Sequence, residues 1–269
     1  MGTCLCKSQI GCGFVGVSFA NNSAPADVVA VDREWTVSSY YNFSVFGEVM
    51  EIRDLESSEA WDYENAFYWF SDPSRLMKSL AHFELYKMIS GLPGHFLELG
   101  VYKAASLIRF ATFRHLLEAE RSRKIIGFDV FGEFPRNEGN IDSDSVFIDQ
   151  FELAGGHGLS LRETLDIIQS KGFTNIDLIQ GDIIETLPKY LSDHPEYRFS
   201  ALHFDMDVYL PTRFALDVLW ERVVPGGLLI FDDFGSVEGA TVAIEEFLYE
   251  KGLSIAKLPY YSVPAFVCK

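Results

Sequence analysis

Four acids in two short runs are where the chemistry of this chain begins. Asp205 and Asp207 stand in His203-Phe204-Asp205-Met206-Asp207-Val208-Tyr209, at the end of an apolar run. Asp232-Asp233 follows Pro225-Gly226-Gly227 and the apolar Leu228-Leu229-Ile230-Phe231. Short apolar runs bounded by glycine and proline read as buried strands. Neighbouring parallel strands lie roughly 5 Å apart, so acids at their carboxyl ends converge. Carboxylates that close repel one another unless they are protonated or neutralised by a cation. A hard divalent ion resolves the repulsion, and Mg2+ needs only a few carboxylates besides water and substrate. Asp207 and one of the Asp232-Asp233 pair have a second reading, as caps of the helices that follow.

A second constellation lies upstream. In Phe96-Leu97-Glu98-Leu99-Gly100-Val101-Tyr102-Lys103-Ala104-Ala105-Ser106 a strand runs into an acid and a glycine and then into a helix. In an open α/β sheet that crevice binds ligands. Gly100 lets backbone approach closely, and the amides opening the helix suit a carboxylate or phosphate. The dinucleotide pattern G-x-G-x-x-G is absent, because Ala104 and Ala105 stand where later glycines would be. Asp129 closes the next apolar run, where a carboxylate can accept both hydroxyls of a ribose. Gln180-Gly181-Asp182-Ile183 closes the third, where a polar loop can face adenine. Each is a plain strand-to-loop turn when taken alone. Together, at successive strand ends, they point to an adenosine-type ligand with free 2′ and 3′ hydroxyls.

Residues 136–160, rich in Gly, Asp and Asn, suit a lid over an acceptor. His157, within Gly155-Gly156-His157-Gly158, is either a substrate contact and alternative base or an exposed loop histidine. His203 reads as a packed strand residue. Arg109, Arg114, Arg136 and Arg213 are all candidates for a diphosphate on the acceptor, and the sequence does not choose among them.

These residues need an alternating fold to hold them. Strands are expected over 96–99, 125–128, 177–180, 201–204 and 228–231, with helices over 104–117, 161–171 and 212–222. Such alternation means right-handed crossovers and a mostly parallel sheet. After a helix over 237–249, the strands 254–258 and 265–267 are too close for a crossover helix, so they form an antiparallel closing pair. Upstream, Ser71-Asp72-Pro73 is a helix start. Leu76, Leu80, Phe83 and Met88 then recur at helical spacing up to Gly91. Residues 61–70, dense in aromatics, read as a helix packed on the main domain, a wall of a substrate pocket or a subunit contact. The organisation expected is a loosely constrained arm over 1–60, a helical lead-in over 61–92 and a catalytic domain over 93–269.

Composition limits the partners. With 22 Lys+Arg against 39 Asp+Glu in 269 residues the formal charge is −17, which argues against nucleic acid and against an anionic membrane surface. No stretch reaches the ~20 apolar residues that span a bilayer. Cys4, Cys6, Cys12 and Cys268 form neither a metal-binding spacing nor a disulfide framework, so reduced thiols and a cytoplasmic setting are expected.

The run FLELGVYKAAS resembles the cofactor motif of catechol O-methyltransferases. FDVFGEFP, QGDIIETLP, HFDMDVYLPT and PGGLLIFDDFG are together more similar to the macrocin and mycinamicin O-methyltransferase family, which methylates deoxysugar hydroxyls in macrolide biosynthesis. ENAFYWFSDPSRLMKSLAHFELYK resembles the helical lead-in of the bacterial relatives, so the likeness covers roughly residues 60–250. It implies the class I methyltransferase fold, a Rossmann-like α/β sheet of seven strands, mostly parallel with an antiparallel C-terminal strand, behind an N-terminal helical extension. It further implies S-adenosylmethionine, a bound Mg2+, a sugar-containing acceptor and a homo-oligomer. By motif position, Glu98, Gly100, Tyr102 and Ser106 surround the methionine part of the cofactor and Asp129 holds its ribose. Gly181, Asp182 and Ile183 face its adenine, while Asp205, Asp232 and Asp233 ligate the metal. Catechol methyltransferases carry a Lys three residues after the first metal Asp, and here that position is Val208. The departure favours the sugar branch, with Asp205 as the base and His157 as its alternative. A phenolic acceptor is the second reading, and a non-catalytic adenosine-ligand binder the third.

Overall fold

The computed structural model describes residues 49–136 and 138–269. The expected N-terminal arm, with Cys4, Cys6 and Cys12, lies outside the described residues apart from its last dozen. Those residues hold a small antiparallel hairpin of β1 (Glu51–Ile52) and β2 (Leu55–Glu56). The helical lead-in follows as α1 (Ala60–Phe70) and α2 (Pro73–Ile89). The Asp72 side chain caps α2 by accepting from the Ser74 amide at 2.8 Å, with Pro73 in the first turn.

Strands and helices then alternate: β3 (His95–Leu99), α3 (Ala105–Leu117), β4 (Ile125–Asp129), α4 (Asp142–Gly155), α5 (Leu161–Ser170), β5 (Ile176–Gln180) and α6 (Ile183–Asp193). They continue through β6 (Phe199–Phe204), α7 (Tyr209–Leu219), β7 (Val223–Phe231) and α8 (Glu238–Lys251) to β8 (Ala256–Leu258) and β9 (Tyr261–Cys268). The seven-stranded sheet has the order β5-β4-β3-β6-β7-β9-β8. β3 to β7 are parallel, and β9 runs antiparallel to both β7 and β8, so the expected closing pair is present.

Successive strand residues point to opposite faces, and here both faces are covered. Leu97, Ile126, Leu202 and Leu229 pack under α6, α7 and α8 with Leu187, Leu216 and Phe247. Their neighbours Phe96, Ile125, Ala201 and Leu228 pack under α2, α3 and α5 with Tyr86, Phe110 and Ile168. This two-sided burial is why the inner strands read as unbroken apolar runs.

Bounds shift in several elements, with α7 starting three residues earlier than expected and β9 four, and two further differences stand out. Residues 136–160 hold the helix α4 rather than loop alone, and its buried residues are only Asp144 and Ile148. β7 starts at Val223, ahead of the apolar run, because Val223 already pairs with Phe199. No described helix is long and apolar enough to cross a membrane.

Candidate active site at the carboxyl edge of the sheet

The strand order reverses beside β3, which has β4 on one side and β6 on the other. A crevice therefore opens beyond the carboxyl ends of these strands. It forms a cleft lined by Gly100, Tyr102, Asp129, Gly181, Asp182, Ile183, Asp205 and Asp207 among others. Phe128, Val130, Phe134, Phe151 and Met206 supply its apolar wall, and His157 stands exposed at its rim.

The loop after β3 is held in a strained form. Gly100, Tyr102 and Ala104 have φ of 92°, 50° and 58°, and two of the three carry side chains that disfavour this region. Asp129 pins the loop from β4. Its Oδ2 accepts from the amides of Val101 at 2.7 Å and Tyr102 at 2.9 Å, while Oδ1 accepts from Phe131 at 2.6 Å. The Tyr102 hydroxyl donates to the Gly155 carbonyl at 2.7 Å, tying the loop to the end of α4. Asp182 caps α6 by accepting from the Ile184 amide at 2.9 Å, and it still faces the cleft.

Glu98 and Ser106, expected around the cofactor, are buried behind the cleft wall rather than on it. The register explains Glu98, because it lies opposite His203 on β6 and its Oε1 is 3.2 Å from His203 Nδ1. Lid candidate Arg136 pairs with Asp149 at 2.7 Å. Arg114 is spent on Glu120 and backbone carbonyls, and Arg213 on Asp217 and Glu250. Arg109 is left facing His82 Nδ1 at 3.0 Å.

The two acidic runs do meet. Asp205 follows β6, Asp232 and Asp233 follow β7, and one oxygen from each lies within 4.8 Å of the others. The helix-cap readings do not hold: α7 and α8 begin after Val208 and Val237, and neither Asp207 nor the Asp232-Asp233 pair supplies the cap. Asp207 instead adopts φ 66° and turns its amide to Asp233 Oδ2 at 3.0 Å. Burial, then the charges of Asp232 and Asp233, push the Asp205 carboxyl well above its usual range. Burial, then Asp207 and Asp232, do the same to Asp233. Asp207 is raised to about 7 by burial and by Asp205.

Asp232 behaves oppositely. Burial would raise it, but His203, His82 and Lys78 hold it well below the usual carboxylate range. Lys78 and His82, four residues apart on one face of α2, reach across to it. Lys78 Nζ donates to Oδ2, and His82 Nε2 lies 3.5 Å from Oδ1. Arginine only donates, so His82 accepts on Nδ1 and carries its proton on Nε2, toward Asp232. Burial lowers its pKa to about 3. Burial also disfavours a charged His203, yet Asp232 and Glu98 outweigh it and lift His203 to about 10. These α2 contacts are long-range, and the helical spacing of Lys78 and His82 is their only trace in the sequence.

The donor set fits a divalent cation: clustered carboxylate oxygens, two of the three acids held far from their ionised form by burial and then by mutual repulsion. The cleft beside it fits an adenosine-type ligand, with an acid at each of two strand ends and apolar walls between.

The sequence profile of the macrocin O-methyltransferase (TylF) family matches residues 74–258. The 8-demethyl-8-(2,3-dimethoxy-alpha-L-rhamnosyl)-tetracenomycin-C 4'-O-methyltransferase of Streptomyces olivaceus is 27% identical over 173 residues, 62% of this chain and 62% of that enzyme's length. Mycinamicin III 3''-O-methyltransferase of Micromonospora griseorubida is 29% identical over 206 residues, 74% of this chain and 76% of that one. The crystal structure of CalS11, calicheamicin methyltransferase, shares the fold with a TM-score of 0.59 at 23% identity, over 78% of this chain and 85% of that chain. With the profile spanning well over half of its residues and the seven-stranded sheet in place, the chain belongs to the macrocin O-methyltransferase family of S-adenosylmethionine-dependent enzymes.

Proposed function

We propose that the protein methylates a sugar hydroxyl of a glycosylated small molecule or nucleotide-linked sugar, using S-adenosylmethionine and a Mg2+ ion held by Asp205, Asp232 and Asp233. One observation carries the reading: Asp205 lines the cofactor-type cleft and belongs to the acid cluster at once. The relatives that act on rhamnosyl and mycinamicin substrates support a sugar acceptor. Val208, a buried residue of the cleft wall, stands where a catechol enzyme carries its lysine.

A divalent cation held by Asp205, Asp232 and Asp233 would supply Lewis acidity, lowering the pKa of a sugar diol and orienting it. The residues of the chain do the rest. Asp129 and the Gly100–Tyr102 loop orient the cofactor, and Phe134 and Phe151 exclude water from it. Asp205 accepts the hydroxyl proton on a carboxylate oxygen as the methyl moves in line. His157, at the rim, is the alternative base.

The test is methyl transfer from S-adenosylmethionine to a panel of nucleotide sugars, sugar-bearing natural products and catechols, with Mg2+ or with chelator. Mg2+-dependent methylation of a sugar, lost in Asp205→Asn while S-adenosylmethionine still binds calorimetrically, is the expected result. Transfer to catechols alone, undiminished transfer in chelator, or tight cofactor binding without transfer to any acceptor would overturn it. We also infer a homo-oligomer, since Tyr68, Trp69 and Phe70 of α1 are 61%, 68% and 83% exposed and contiguous apolar surface of this kind marks an interaction site. Sedimentation of the full chain tests that inference, and a monomer at micromolar concentration refutes it.

A further inference from the structure

Lys78 has no part in the motifs that define the site, yet its ammonium occupies the middle of the site's electrostatics. It donates to Asp232 Oδ2, and Asp232, Asp205 and Asp233 all act on its charge. These are the same three acids that cluster for a metal. The two oxygens of Asp232 are not equivalent. Oδ1 is turned inward, 3.5 Å from His82 Nε2 and 3.9 Å from His203 Nε2. Both rings are fully buried and enclose Oδ1 on that side. Oδ2 is the oxygen left for an incoming ion, and Lys78 holds it.

The helix that carries Lys78 is fixed, because Ala81, His82, Leu85, Tyr86 and Ile89 are buried beneath α2. The side chain itself is not. It keeps 21% of its surface exposed, and four rotatable bonds let the ammonium leave Asp232 without moving the backbone.

We propose that Lys78 is a built-in counter-cation that competes with the divalent ion for Asp232 Oδ2. Without the ion, it offsets the clustered carboxylates and keeps Asp232 in place. When the ion binds, the ammonium is displaced toward the open side of the site. Lys78 is thus a positioning residue that sets how tightly the site takes its metal, and the inference rests on the metal reading above.

Mn2+ binding, followed by electron paramagnetic resonance on the full chain, separates the possibilities. Lys78→Met and Lys78→Gln should bind Mn2+ about tenfold more tightly than the unmodified protein, a change of about 1.4 kcal/mol, while Lys78→Arg keeps the original affinity. Without metal, the two neutral variants should melt below the unmodified protein, and saturating Mn2+ should close that gap. Folding of each variant is checked by circular dichroism. Unchanged or weaker Mn2+ binding in folded Lys78→Met, when the unmodified protein binds Mn2+ and Asp233→Asn does not, overturns the role of Lys78 and leaves the metal reading standing. If neither the unmodified protein nor Lys78→Met binds Mn2+ at millimolar concentration, both fall.

Discussion

Gly100→Ala tests how the cofactor loop and the acid cluster are joined. A Cβ at position 100 would stand 1.9 Å from the Asp205 carbonyl oxygen and 2.7 Å from its carbon. Carbon–oxygen contacts settle at about 3.3 Å, so the two backbones must part by more than about 1 Å. Asp205 cannot yield freely, because its amide donates to the Leu99 carbonyl at 2.9 Å. The left-handed φ of 92° at Gly100 adds about 1–3 kcal/mol of strain for alanine, and overpacking adds about 1–3 kcal/mol. For a domain of this size that predicts a melting temperature lower by about 4–24 °C. With Asp205 as the proposed base, displacing its carboxylate by about 1 Å should also lower turnover by about 100-fold. The assay is initial methyl-transfer rate at saturating S-adenosylmethionine and Mg2+, beside a thermal melt and calorimetric cofactor binding. Gly91→Ala is the control, since a Cβ there meets nothing within 4 Å. A Gly100→Ala protein with normal melting and turnover would refute the reasoning. So would one that loses only cofactor affinity, because the glycine would then serve the ligand and not the approach of Asp205.

Asp129→Asn removes an acceptor from a carboxylate that takes three backbone amides. Stability should fall by about 1–3 kcal/mol and cofactor binding should weaken with it, and unchanged calorimetry and melting would sink that account. Arg53 donates to the carbonyls of His157 at 2.8 Å and of Gly158, and pairs with Glu163 at 3.4 Å. Arg53→Ala should speed amide hydrogen exchange at the rim over 156–160 with little change in global melting, since exposed pairs contribute about 0–1 kcal/mol; exchange rates equal to the parent's would refute the tie. The acids also set a pH dependence. Asp207, at about 7 in the fold against an ordinary 3.8, keeps a proton that the unfolded chain has lost. The stability from that proton is fully present below about pH 4 and is lost as pH rises through about 7. Mg2+ should therefore raise the melting temperature more at pH 8 than at pH 5.5, where protons compete for the carboxylates; an equal or larger rise at pH 5.5 would contradict this.

The strands that hold the site are legible because both faces of the sheet are buried, leaving apolar runs that stop at Gly100, Asp129, Gly181, Asp205 and Asp232. The convergence of acids follows from those endings alone. What escapes is whatever depends on register or on distant elements. Glu98 reads as a cofactor contact by its place in the motif, but only the pairing of β3 with β6 sets it opposite His203. α4 hides because Val146 and Leu153 face solvent while Asp144 is buried, which inverts the periodicity that would reveal a helix. Asp144 is buried for a reason, as its Oδ2 accepts from the Tyr209 amide at 3.0 Å. Gly239 makes room for it, since a Cβ there would stand 1.9 Å from Asp144 Oδ1.

The charge at the site can be counted from the same contacts. Among the described residues, Asp205, Asp207, Asp232, Asp233 and Glu98 supply five carboxylates. His203 is a cation with a pKa of about 10, Lys78 and Arg109 are two more, and His82, lowered to about 3, is none. Three cations against five acids leave a shortfall of two charges, and that shortfall falls unevenly. His203, His82 and Lys78 hold Asp232 low, so it ionises readily. Burial and the neighbouring acids raise Asp205, Asp207 and Asp233, although the charge of Lys78 reaches Asp205 and Asp207. Protonation would silence them as bases and ligands, whereas one divalent ion supplies the missing charge at the place where it is missing. An acidic chain of net charge −17 concentrates part of its excess where the proposed ion would offset it.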